Sequence, residues 1–212
     1  MTTLGSTGKA RTESFDNKRK LFLVPLPPVM PEVDGNNSDL FDRHWNSIQE
    51  QIENLEKSLG LVRHVFHEMV YEGGDGGTAI VSQVSPRSAT ICKRITDSSG
   101  VFVKTEDRDA LFEMHDWQRC ISVGLASEKV SKLAYEGFQE STNLRNEKIA
   151  ENIDKELNVD EIGILFISED HRVQFPSDIQ VFYIAPPTQN EIKQAIENYY
   201  KQQSAPTTEE SE

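Results

Sequence analysis

Cysteine is scarce in this chain. Only Cys92 and Cys120 occur in 212 residues, and two isolated thiols make neither a disulfide framework nor a zinc motif. They read as reduced, partly buried side chains. Long apolar runs are missing as well. None approaches the roughly 18 residues that a membrane span needs. The opening stretch MTTLGSTGKARTESFDNKRK holds no apolar core, so it is not a secretory signal. Reduced thiols and the missing signal together predict a soluble, cytoplasmic protein. Positive charge is short: 22 Lys and Arg stand against 35 Asp and Glu, for a net charge of -13. Phosphate backbones need clustered Lys and Arg, so general nucleic-acid binding is not expected. At long range, basic partners are favoured over acidic ones.

Complete catalytic signatures are missing too. GGDGG, Gly73 to Gly77, is a glycine-rich stretch, but no Lys-Ser or Lys-Thr follows it and the G-x-G-x-x-G spacing is absent. It reads as a flexible turn with access to positive φ rather than a phosphate cradle. HVFHE, His64 to Glu68, supplies half of a zincin motif in His67 and Glu68. The second histidine is replaced by Tyr71, and on a strand His64 and His67 point to opposite faces. Neither a cofactor nor a metal is expected.

What the chain does have is patterning. At 36% hydrophobic and 27% charged residues the composition is globular. One domain is expected over residues 19–202, between a polar disordered tail at 1–18 and an acidic one at 203–212. KLFLVPLPP, Lys20 to Pro28, reads as a strand stopped by prolines, and VMPEVDGNN after it as a loop. Phe41, Trp45, Ile48, Ile52, Leu55 and Leu59 recur in steps of four and three, an amphipathic helix that Ser38 or Asp39 can cap and Gly60 can end. Its stripe suits a core or a homodimer seam. Leu61–Glu72 reads as a strand, Ser85-Pro86 as a helix start, Val101–Glu106 and Arg119–Leu125 as further strands. Ser127 can cap a long helix to about Leu157, whose polar middle QESTNLRNEK predicts exposure or a bend. Thr188 and Glu191 form a capping box for a last helix.

IGILFIS and IQVFYIA are continuous apolar runs, as in strands covered on both faces. Strands alternating with helices predict an α/β domain of three layers around a mostly buried central sheet. The connection between those two strands is too short for a crossover helix, so a mixed sheet is expected. The connecting loop holds His171, Asp170 and Asp178, which suit acid–base work, with Asp116 as a further candidate catalytic residue. Arg172, Gln174, Phe175, Arg119 and Trp117 are candidate binding residues. The bland alternatives are a polar turn around Pro176, and an Asp116–Arg119 pair with Trp117 in the core and Cys120 buried.

The helix RNEKIAENIDKEL followed by EIGILFISED is faintly similar to helix-then-strand units of archaeo-eukaryotic release-factor and Pelota-like domains. The similarity spans about 25 residues, Arg145 to Asp170, and contains none of the motifs for codon reading or peptide release. It implies a translation-linked interaction role. The leading expectation is therefore an α/β interaction domain that binds a protein or other macromolecular partner without catalysis of its own. The alternative is a small hydrolase, with or without a metal, built on the His171 loop.

Overall fold

The computed structural model describes residues 18–204. The tails expected over 1–18 and 203–212 lie outside these residues, apart from their innermost positions. Five strands run β1 (Arg19–Leu26), β2 (His64–His67), β3 (Val101–Phe102), β4 (Ile162–Ser168) and β5 (Ile179–Tyr183). Seven helices join them: α1 (Pro31–Asn36), α2 (Ser38–Leu59), α3 (Gly74–Val84), α4 (Pro86–Asp97), α5 (Arg108–Ser122), α6 (Glu128–Glu156) and α7 (Thr188–Gln203). The strands form one sheet in the order β3-β2-β4-β1-β5, and every pairing is parallel.

The parallel sheet corrects the expected mixed one. β4 and β5 do not pair with each other; each lies beside β1. The ten residues between them, 169–178, carry the chain back along the sheet without a helix. Val173 and Phe175 of this crossover pack with Leu21, Leu23 and Ile179. Extended backbone advances about 3.3 Å per residue, so ten residues suffice to return from the level of Leu26, beside Ser168, to that of Arg19, beside Ile179. Crossovers usually contain a helix, and this one replaces it with two apolar anchors.

The continuous apolar runs of β1 and β4 are explained by burial on both sides, whereas β5, expected to be covered on both faces, is an edge strand that is only partly buried and leaves Tyr183 exposed. Along β1, Phe22 and Val24 enter one core cluster while Leu21 and Leu23 enter a second. Along β4, Ile164 and Phe166 join the first, Leu165 and Ile167 the second. Alternate residues face opposite ways, so a strand apolar at every position serves both clusters. The first also takes Trp45, Ile48 and Ile52 from α2 and Ile91, Cys92 and Ile95 from α4. The second takes Ile149 and Ile153 from α6. The stripe on α2 thus faces its own sheet. Pro25 lies inside β1, yet breaks nothing: Leu23 C=O accepts from Ile184 N–H, so Pro25 faces the β5 side beyond the last β1–β5 pair.

Several local expectations are corrected. Residues 31–36 are helical, with Pro31 at the first turn where its missing N–H costs nothing. Asn37, not Ser38 or Asp39, stands at the N-cap of α2. β2 ends at His67 because Met69 turns the chain at φ 71. Gly74 opens α3 rather than a turn. Residues 119–122 continue α5, and no strand forms there. Ser127 does cap α6, but Thr188 is already inside α7 and Pro187 precedes it, so no capping box forms.

α5 and the first half of α6 lie against each other as a helical hairpin. Gly137 of α6 permits this, since a Cβ there would collide with the Trp117 ring of α5. Gly137→Ala should therefore destabilise the protein by about 1–3 kcal/mol through overpacking. Urea unfolding of the variant tests this, and Trp117→Leu in the same background should restore part of the loss.

Candidate functional site

A parallel sheet places all its strand carboxyl ends on one edge. Here the chain leaves β1 past β4 toward β2, and leaves β4 past β1 toward β5. The β1–β4 boundary is therefore the point where successive connections diverge, and ligands of open α/β sheets sit in the crevice outside such a point. A cleft of about 560 Å³ lies there. Its walls are the end of β1 (Leu26, Pro27, Pro28), the end of β4 (Ser168, Glu169, Asp170) and the inner side of α7 (Ile192, Ile196). His44 of α2 and Glu68 complete it. A second cavity of about 740 Å³ lies between the same edge and the α5–α6 hairpin. Glu68, Ser168 and Asp170 line both.

Glu68 is the pivot. It follows β2 directly, and its carboxylate accepts from Ser168 Oγ at 2.7 Å at both oxygens. Arg145 Nη2 of α6 approaches it at 3.4 Å. Arg145 is held more tightly by Glu106, which accepts from Nε at 2.9 and 3.0 Å and is 0% exposed. Glu106 Oε1 also accepts from Met69 N–H at 3.1 Å, which steadies the positive-φ turn. Burial pushes the Glu106 carboxyl upward while the Arg145 guanidinium opposes that shift. The polar middle of α6 is thus not simply solvated. Ser141 and Asn146 are buried there, and Arg145 reaches inward from it.

Two histidines stand neutral behind this edge. His67, 1% exposed, places Nδ1 2.6 Å from Glu68 C=O. A carbonyl only accepts, so Nδ1 carries the proton and Nε2 accepts from Ser88 Oγ at 2.9 Å. Burial pushes its pKa down. His44, also 1% exposed, meets Thr188 Oγ1 through Nδ1 at 3.0 Å. Its Nε2 is buried with no partner among the described residues, and burial lowers its pKa to about 4.

The structure gathers some of the sequence candidates and scatters others. Asp170, His171 and Arg172 line the 740 Å³ cavity beside Glu68. His171 Nδ1 accepts from Val173 N–H at 3.3 Å, and burial lowers its pKa. Asp178 lies elsewhere, at the start of β5, in a bidentate pair with Arg19 at 2.7 and 2.8 Å. Asp116 pairs with Arg119 at 3.1 Å on exposed α5. Gln174 borders a shallow depression with Arg172, Phe175 anchors the crossover, and Trp117 packs on Gly137. Cys92 is buried, whereas Cys120 is exposed. His67 and His171 line different cavities. No group of three or more His, Cys, Asp or Glu side chains suited to a metal ion occurs among the described residues.

Glu106, Arg145, Ser168 and His44 were not singled out from the sequence, and Glu68 was weighed only as part of a zincin half-motif. Glu68 and Ser168 carried a usable signal: each stands at or just after the end of an apolar strand, where a parallel sheet presents functional groups. Comparison with protein-family models, curated proteins and solved structures finds no match to this chain.

Arg145→Met leaves the buried Glu106 carboxylate without its cation, and should cost about 3–5 kcal/mol in urea unfolding. Adding Glu106→Gln should return part of that loss. The histidines set a pH dependence. Their folded pKa values lie below the ordinary 6.5, that of His44 at about 4. The unfolded chain therefore takes up protons first as pH falls. Stability should be complete above about pH 6.5 and decline from there toward pH 4. Urea midpoints measured across that window should fall, and His44→Phe should flatten the slope.

Proposed function

We propose that this chain is a small-molecule-binding α/β domain whose site is the cleft at the β1–β4 switch point. The observation that carries the reading is the position of the 560 Å³ cleft, outside the strand ends where the connections diverge. Its size falls within the range of ligand pockets, about 300–1,000 Å³, and its apolar wall with a few polar groups matches their usual make-up. We take the two core clusters as the two faces of a three-layer domain spanning residues 19–202, cytoplasmic and soluble in its setting.

The domain recognises its ligand without chemistry of its own. A hydrolase built on the His171 loop has lost two of its proposed carboxylates, since Asp178 is held by Arg19 and Asp116 by Arg119. It would rest on His171 and Asp170 alone.

A macromolecular partner, translation-linked or otherwise, is the second reading. It is favoured by the α5–α6 hairpin, where Val130, 48% exposed, and Leu133, 59% exposed, stand three positions apart on one face of α6. Apolar side chains presented together on one surface are a common feature of protein-binding sites.

Amide chemical-shift mapping of the ¹⁵N-labelled chain against a set of small polar fragments separates these readings. The expected outcome is saturable shifts at Ser168, Asp170 and Gln189. Fragments that leave those amides unmoved, with binding of a purified protein partner lost on Leu133→Asp, would replace the cleft reading with the interaction reading.

A further inference from the structure

We propose that the outer edge of β5 pairs antiparallel with the same strand of a second copy of this chain, joining the two sheets into one about a two-fold axis.

Unpaired main chain is the first support. β5 is an edge strand that packs chiefly on β1. Successive residues of a strand turn N–H and C=O to its two sides in alternation. Ile184 N–H donates to Leu23 C=O at 2.8 Å, so Gln180, Phe182 and Ile184 face β1 and Val181 and Tyr183 face outward. The outward N–H and C=O groups of Val181 and Tyr183 have no partner among the described residues. Ile179 C=O faces the same way, while Ile179 N–H donates to Pro176 C=O at 3.0 Å.

The second support is that nothing blunts this edge. An open edge is a template for another strand, and native chains protect theirs by shortness, lysine, proline or a bulge. The opposite edge follows that rule: β3 is two residues long, with Lys104 close behind it. β5 has none of these devices. Its sequence IQVFY contains no proline, and Ile179 to Pro187 carries no charge. Tyr183 is 52% exposed, and Val181 and Phe182 are only partly buried.

Self-complementarity singles out the occupant. With the two-fold at Val181, the two Val181 residues exchange both N–H···O=C bonds, and each Tyr183 N–H meets the Ile179 C=O of the other copy. Every outward N–H of both strands is then satisfied. Directly opposite side chains share a face of the sheet, so Val181 meets Val181 and Tyr183 meets Ile179. The charges that flank the strand are already matched within each copy, Asp178 by Arg19 at 2.7 Å and Glu169 by Lys193 at 2.6 Å. A chain of net charge -13 meets its own copy with least repulsion across such a neutral strip. The pairing closes on itself, which gives a dimer rather than a fibre.

Sedimentation equilibrium of the full chain tests this. The average mass should rise with concentration from 24.0 kDa toward twice that value and no further. Added salt should strengthen the association by screening two acidic chains. Hydrogen exchange at the Val181 and Tyr183 amides should slow as the dimer forms. Val181→Pro removes an outward N–H and leaves the β1–β5 ladder untouched. It deletes both central bonds and should weaken the dimer about tenfold. Tyr183→Glu, at an exposed position, sets a carboxylate against Ile179 of the other copy. It should weaken the dimer by a similar factor, and it carries the test if the proline variant does not fold. A mass that stays at 24.0 kDa up to about 1 mM, growth beyond two copies, or a dimer that a folded variant leaves intact overturns the proposal. So does protection of the Val181 and Tyr183 amides in a chain that stays monomeric, since the chain then covers its own edge.

Discussion

The parallel pairing of β1 with β4, apolar at nearly every position, is the constraint on which the rest depends. Seven consecutive pairs from Lys20↔Ile162 to Leu26↔Ser168 lock the two strands in register. Both faces are buried, so a slip of one residue would turn each side chain toward the wrong cluster. With that pair central, β2 adds beside β4 and β5 beside β1. The connections then diverge on either side of the β1–β4 boundary. The cleft is the geometric consequence, and it needs no special loop.

Polar groups at the carboxyl edge are placed by a second device. Glu68, Glu106 and Arg145 come from the end of β2, the loop after β3 and the middle of α6. A buried ion pair of this kind adds little net stability over apolar packing of the same shape, yet breaking it is costly. Its consequence here is positional. It ties α6 to the β2 and β3 ends and holds Met69 N–H, so that Glu68 emerges at the cleft rather than folding back.

How legible this was in the sequence depended on whether the signal was local. α2, α4 and the second half of α6 were readable because Ile48, Ile52, Ile91, Ile95, Ile149 and Ile153 repeat with helical spacing and each stripe meets the sheet. β1 was readable as a strand and β4 as a doubly covered one, while the same reading of β5 missed that it lies at the sheet edge. The direction of β5 was not readable, because an apolar run does not encode direction and a ten-residue crossover without a helix is unusual. α5 was mistaken in part for strand because RCISVGL has β-branched character, while its context in the hairpin overrides that weak preference. The loop holding Asp170 and His171 was found from composition. Asp178 in the same loop was grouped with them, although Arg19 draws it to the opposite edge of the sheet. The Glu68–Arg145–Glu106 cluster joins positions far apart in the chain, and no pattern within one segment could reveal it.

The polar middle of α6 shows why such clusters are hard to read and worth finding. As a surface face, QESTNLRNEK would be unremarked charge and amide. In the fold it supplies Ser141 and Asn146 to buried positions and Arg145 to two carboxylates. A helix that must bury a guanidinium cannot also carry an uninterrupted apolar stripe, so its periodicity fades where Arg145 turns inward. The same trade appears at Met69, where a non-glycine residue holds φ 71 beside the pivot carboxylate. Backbone strain of that kind persists when surrounding contacts over-determine it, and here the contacts are those of Glu106. The weakest sequence patterns and the positive-φ turn at Met69 thus meet on one edge, the edge on which the cleft opens.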